Sequence, residues 1–186
     1  MNMTHMNTTH TNITHTTTLS RKEQEDIHRI TALCRLADGL SLSCPEDGDE
    51  YWLLEEDATA AAFLAVYKTE VTMWECCAFT HPDFRRKGYF SALLEQVCQY
   101  SEALGEPELC LVTDNKCPAA TAALRELGAE LWNEEYMMEY DVPAAGTAYE
   151  SGTSVSQASL PDTEPDTELD MDIHTTPEGL LICARI

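Results

Sequence analysis

A chain of 186 residues carrying a formal net charge of −22 has room for one packed domain with tails. So large an excess of acid argues against nucleic acid and anionic membrane surfaces as partners, and fits a cationic one. No apolar run approaches the roughly 20 residues of a membrane span, and the N-terminus lacks the basic-then-apolar pattern of a leader, so the expected compartment is the cytoplasm, with no membrane association.

Residues 1–19 repeat Thr-His at 4–5, 9–10 and 14–15, which spaces His5, His10 and His15 evenly. Such a composition is compatible with metal binding, but with so little apolar content it reads as a disordered repeat outside the folded domain. From Ser20 the pattern changes. Ile27, Ile30, Leu33, Cys34 and Ala37 share one face of a helix, with Ser20 as its N-cap and Gly39 as its stop. Residues 51–57, 61–70 and 71–79 read as three strands joined by short polar turns, a meander. Pro82 breaks the chain, and residues 89–104 return to helical spacing through Phe90, Leu93, Leu94, Val97, Ser101 and Leu104. Residues 108–114 form a short apolar strand suited to a sheet centre. Pro118 opens another helix over 118–128, and 130–142 is strand material.

The domain so outlined covers 20–142. Residues 143–168 are rich in Ala, Gly, Ser, Thr and Pro and end in a direct repeat, PDTEPDTE, which reads as an acidic linker. The last stretch, 169–186, reads as two short strands about a Pro-Glu-Gly turn, either docking on the domain or opening a second one. The eight cysteines show no paired metal-ligand spacing, so no metal is expected. They read as reduced, mostly structural thiols.

Three of the ten Lys and Arg residues between 20 and 142 are packed into Arg85, Arg86 and Lys87, directly before Gly88 and a helix. Backbone N–H groups at a helix start have no intrahelical acceptor and carry the positive end of the dipole, so they form an anion site. Gly88 lets a ligand approach the backbone without a Cβ in the way. A local reversal of field in so acidic a chain points to a phosphate-bearing ligand.

The stretch AFTHPDFRRKGYFSALL resembles the fourth strand and acetyl-CoA loop of the GCN5-related N-acetyltransferase (GNAT) family, whose pattern is Arg/Gln-x-x-Gly-x-Gly/Ala. Arg85 and Gly88 match its first and fourth positions, and Phe90 departs from its sixth. The order of elements over about 20–142 matches as well. The resemblance implies an α/β (α+β) fold, with a mixed, mostly antiparallel sheet flanked by helices. It also implies acetyl-CoA as co-substrate, and transfer of the acetyl group to a small-molecule or peptide amine. The amides from Arg86 through Lys87, Gly88 and Tyr89 to Phe90 would cradle the pyrophosphate, with the Arg85 side chain nearby. Ala78, Phe79 and Thr80 would pair with the pantetheine arm and polarise the thioester carbonyl, and Asn115 would reach the cofactor.

For the proton transfers, Glu75 is the candidate general base and Tyr136 the candidate acid, with Tyr140 as its alternative. His81 reads rather as a turn former. The family often carries a Tyr acid where this chain has Leu124. That departure keeps a rival open: a CoA-binding module without turnover, as in one half of a tandem protein.

Overall fold

The computed structural model describes residues 10–105, 107–136 and 180–185. The linker at 143–168, the repeat's first residues and Tyr140 lie outside the described residues. Among the described residues, seven strands form one sheet: β1 (Thr11–Thr16), β2 (Glu50–Glu56), β3 (Thr59–Tyr67), β4 (Met73–Thr80), β5 (Glu108–Asp114), β6 (Glu130–Tyr136) and β7 (Leu180–Arg185). Their spatial order is β1-β2-β3-β4-β5-β7-β6. Every neighbouring pair is antiparallel except β4 with β5. The described residues also form three α-helices, which cover the sheet: α1 (Arg21–Asp38), α2 (Tyr89–Glu102) and α3 (Pro118–Glu126).

The expected caps of α1 are both present. Ser20 accepts a hydrogen bond from the Glu23 amide while the Glu23 side chain accepts from the Ser20 amide, a capping box. Gly39 ends the helix in the left-handed region at φ +68°. The buried face is Ile27, Ile30, Thr31 and Cys34, whereas Ala37 is exposed. Pro118 sits in the first turn of α3, as its fixed φ favours. Helix α2 stops at Glu102, and Leu104 lies beyond it, exposed.

Both faces of the central strands are buried, so each face takes alternate residues. Tyr51, Leu53, Phe63, Cys77 and Phe79 pack against Ile27, Ile30 and Cys34 of α1. Trp52, Leu64, Trp74 and Cys76 turn the other way, onto Leu93, Leu94 and Val97 of α2 and Leu124 of α3. None of the seven cysteines with described side chains is in a disulfide. Burial pushes Cys77 up to about 12, so it is a packing residue and not a nucleophile.

Two expectations about the ends are corrected. Residues 11–16 are not disordered: they pair with β2 from Thr11 opposite Glu56 to Thr16 opposite Tyr51. Threonine is β-branched and favours a strand even where apolar content is low. Ile13 packs against the core, and His15 stacks on Trp52 at 4.2 Å between ring centroids. The His15 Nε2 also lies 2.7 Å from Glu50, a buried carboxylate that accepts from Lys68 at 2.6 Å and Tyr100 at 2.7 Å. At the other end, residues 180–185 form a strand inserted between β5 and β6, so the sheet extends past both ends of the expected 20–142 block.

Candidate functional site

The site begins where two parallel strands part. β4 and β5 are paired from Met73 opposite Glu108 to Cys77 opposite Val112. Beyond that point β4 runs on to Thr80 with no partner on its β5 side, while Thr113 and Asp114 of β5 keep only β7, on their far edge. Ala78–Thr80 therefore border an open seam on their β5 side. On the other side they pair with Leu64, Phe63 and Ala62 of β3. The His81 amide donates to Ala61 O, and backbone groups alternate direction along an antiparallel ladder. That alternation turns Phe79 toward β3 and turns the N–H and C=O of Ala78 and Thr80 into the seam. One of the two carbonyls is already used: Thr80 O accepts from the Cys34 thiol at 3.2 Å and from Arg85 Nε at 3.3 Å.

A cleft of about 520 Å³ opens at this seam. Its walls are Ala78, Phe79 and Thr80, the β5 residues Leu111–Thr113, the end of α1 at Cys34 and Asp38, the start of α2, and the small residues Ala119, Ala120 and Ala123 of α3. Arg85, Arg86, Gly88, Tyr89 and Phe90 line it, as expected of the loop. Lys87 and Asn115 do not, and Asn115 lies in an exposed turn after β5. Leu124 faces the same cleft.

The connection from β4 to α2 has an unusual backbone. His81 caps a single 3₁₀ turn (Pro82–Phe84), its Nδ1 accepting from the Asp83 amide at 3.1 Å, which makes it the turn former expected. Arg86 and Gly88 then both adopt positive φ, +64° and +81°. Gly88 is the N-cap of α2 and offers no side-chain cap, and the first turn contains no acidic residue. The first backbone bond of the helix runs from Ala92 N to Gly88 O, which leaves the Tyr89, Phe90 and Ser91 amides without intrahelical acceptors. A Cβ placed on Gly88 would meet nothing of this protein within 4 Å, so the space beside its backbone is open to a ligand. Left-handed residues next to a helix start form a concave array of N–H groups suited to an anion.

The three basic side chains divide into two paired and one free. The Arg85 guanidinium makes a two-pronged bond to Asp38, at 2.9 and 2.6 Å, which holds its pKa above the usual arginine value. Lys87 Nζ lies 3.0 and 2.7 Å from the two oxygens of Glu56 and 4.8 Å from the Phe84 ring centroid. The Tyr89 hydroxyl donates to the same carboxylate at 2.5 Å. Together Lys87 and Tyr89 hold the Glu56 carboxyl below its usual range, and burial with Glu56 pushes the Tyr89 phenol up to about 12. Arg86, among the described residues, has no ion-pair partner and is exposed at the cleft. The cluster thus fastens a loop between the end of α1 and the end of β2, and presents one unpaired cation.

Sequence reasoning missed Asp38 and Glu56. The first left a signal, because an acid in the last turn of a helix opposes the dipole and calls for a partner. Asp114 was also missed. It is fully buried, and its two oxygens accept from the amides of Ser41 at 2.7 Å and Lys116 at 2.9 Å, which ties the 39–49 loop to the end of β5.

Glu75 stands apart from the cleft. It points to the α1 face of β4 and lines a smaller cavity of about 140 Å³ with Leu42, Ser43, Pro45, Tyr67 and Cys77. Leu42 and Val112 line both cavities, so the two adjoin there. The Tyr67 hydroxyl donates to Asp47 at 3.1 Å, and burial together with that carboxylate raises its pKa far above the usual range. Tyr136 ends β6, its backbone opposite Leu180; its side chain lies outside the described residues.

Residues 15–129 match the family model described as "Acetyltransferase (GNAT) family". No curated protein sequence matches the chain significantly. Among solved structures, the ribosomal-protein-S18-alanine N-acetyltransferase from Escherichia coli aligns at a TM-score of 0.54 and 16% identity, over 94% of this chain and 93% of that one. The yncA protein from Salmonella typhimurium, solved with its cofactor acetyl-CoA, aligns at 0.52 and 11%, over 94% and 92%. A GCN5-related N-acetyltransferase from Sphaerobacter thermophilus aligns at 0.52 and 17%, covering 66% of this chain but only 44% of that longer protein. At such identities these likenesses establish the fold alone.

Proposed function

The chain belongs to the GNAT acetyltransferase family, and we propose that it transfers an acetyl group from acetyl-CoA to an amine. The observation that carries this reading is the coincidence of two features in one cleft: unused amides at the start of α2, and a strand edge at Ala78–Thr80 left open where β4 and β5 part. An anionic pyrophosphate fits the first and an extended amide-bearing arm fits the second. Arg86 through Phe90 would hold the pyrophosphate, with Arg86 adding the free charge. Arg85 and Lys87 would serve by fixing the loop, their own charges being occupied by Asp38 and Glu56.

The acceptor amine must lose a proton, and its lone pair then attacks the thioester carbonyl. We assign that proton to Glu75, which lines the adjoining smaller cavity and would take it directly or through a water. The carbonyl oxygen gains charge as the C–N bond forms, and the seam-facing amides of Ala78 and Thr80 are the donors available to it. The C–S bond then breaks. With Leu124 on the cleft wall in place of a phenol, the departing thiolate takes its proton from water, or from Tyr136 if that residue reaches it. Deprotonation of the amine is the harder step near neutral pH, since an alkylammonium has a pKa of about 10.4 and a thiol about 8.5.

Leu124 also favours the second reading, a CoA-binding module without turnover. Thiol release from acetyl-CoA, measured against a panel of small amines and peptides, separates the two. Release dependent on one class of amine supports the transferase. CoA binding without release from any amine supports the module.

A further inference from the structure

Outside the cleft, one place brings three unlike donor atoms together. His28 on α1 and Cys44 and Glu46 in the following loop set an imidazole nitrogen, a thiol sulfur and a carboxylate oxygen within 4.8 Å of one another. The His28 Nε2 and Glu46 Oε1 are 3.1 Å apart. The loop is built to do this: the Glu46 amide donates to Cys44 O at 3.1 Å across Pro45, a tight turn that keeps residues 44 and 46 on one side. His28 and Glu46 are half exposed, at 51% and 60%, so an ion has access, while Cys44 is partly covered.

We propose that His28, Cys44 and Glu46 form a binding site for a divalent cation of the zinc class. A mixed nitrogen, sulfur and oxygen set suits a borderline-soft ion and not calcium or magnesium, which take oxygen alone. Around tetrahedral zinc, ligand atoms lie about 2.0–2.3 Å from the ion and hence about 3.5 Å from one another. The widest separation here closes to that value by rotation of the exposed imidazole and carboxylate. Water completes the fourth position. Cys44 binds as the thiolate, its proton passing to solvent as the metal–sulfur bond forms. The sequence hid this site because its ligands lie 16 and 2 residues apart and form no motif.

The consequence is mechanical. Leu42, Ser43 and Pro45 of the same loop line the Glu75 cavity. An ion clipping the loop to α1 fixes that wall, which the larger cleft shares at Leu42.

Cobalt(II) titration of the reduced, full-length chain tests the site. One equivalent should produce an intense near-ultraviolet thiolate-to-cobalt band with the visible bands of a four-coordinate ion, and zinc should displace both. Cys44→Ala should abolish the near-ultraviolet band. His28→Gln, an exposed change that leaves the fold alone, should weaken zinc binding at least tenfold in calorimetry. Replacing His5 and His10 by Ala should change neither signal. The proposal fails if no thiolate band forms, if the band survives Cys44→Ala, if His28→Gln binds zinc as tightly as the parent, or if the Thr/His repeat proves to carry the signal. None of these readouts depends on acetyl transfer, so a failure here is separate from a failure of the transferase reading.

Discussion

On the side of the seam proposed for the cofactor, the 85–90 loop leaves backbone amides open and commits two of its three cations to its own carboxylates, Asp38 and Glu56. On the side proposed for the acceptor, the 39–49 loop does the reverse. Its amides at Ser41 and Gly48 are used up within the fold, on Asp114 and on the Tyr51 hydroxyl, and side chains line its cavity. The first arrangement suits a ligand that never changes, because backbone geometry does not depend on the loop's other side chains. The second suits a ligand that differs from one relative to the next, since its recognition rests on exchangeable side chains. The two cavities also differ in charge: Arg85 and Arg86 line the cleft beside Asp38 and Glu126, whereas Glu75 is the charged residue lining the smaller cavity.

The sharpest way to break the contrast is Gly88→Val. It should lower CoA affinity by roughly 10² or more, because the side chain fills the open space beside the amides. It should also cost about 1–2 kcal/mol of stability, since φ is +81°. Calorimetry and thermal melting read the two effects separately, and unchanged CoA affinity would remove the basis of the loop assignment. Glu75→Gln should act only on the other side, lowering kcat/KM by roughly 10² with CoA affinity unchanged. Tyr136→Phe should do less; the reverse ranking would move the proton chemistry to the closing strands.

A smaller effect is expected where the two sides share support. Asp38→Ala leaves the Arg85 guanidinium without its partner and loosens its hold on Thr80 O. CoA affinity should fall about tenfold and stability by about 2–3 kcal/mol, toward the lower end for a half-buried pair. An unaltered affinity would make Arg85 a purely structural cation. The smallest effect is on acid stability. Lys87 and Tyr89 depress the Glu56 carboxyl. At Glu50 burial alone would act the other way, and the bonds from Lys68, Tyr100 and His15 outweigh it. Groups with lowered folded pKa values stabilise the protein above their unfolded values of about 4.3, and that contribution is lost as pH falls through the folded ones. Glu50→Gln should therefore reduce stability at pH 7 and flatten its decline below about pH 4, as followed by circular dichroism.

Most of the fold was legible because period and caps agreed. Ser20 and Gly39 bound α1, the 108–114 run is β5 residue for residue, and Pro118 starts α3. The ends were less legible. A Thr-rich strand such as β1 has the composition of a disordered repeat and is told from one only by its pairing with β2. By contrast, β7 was legible as a strand, with docking on the domain as one of two readings, but local pattern gave no sign of its place between β5 and β6. In the site, Arg85, Gly88 and the 78–80 strand end could be read because backbone constraints leave a motif. Asp38, Glu56 and Asp114 could not, since each acts on a group distant in sequence.

We attribute cofactor affinity to anion recognition at the start of α2, and a calorimetric comparison of CoA with pantetheine tests that attribution. Pantetheine keeps the arm that Ala78–Thr80 would pair with and lacks the pyrophosphate and nucleotide. CoA should bind at least 100-fold more tightly, and Gly88→Val should reduce the two to similar affinities. Equal affinity of the unaltered protein for both compounds would contradict the claim.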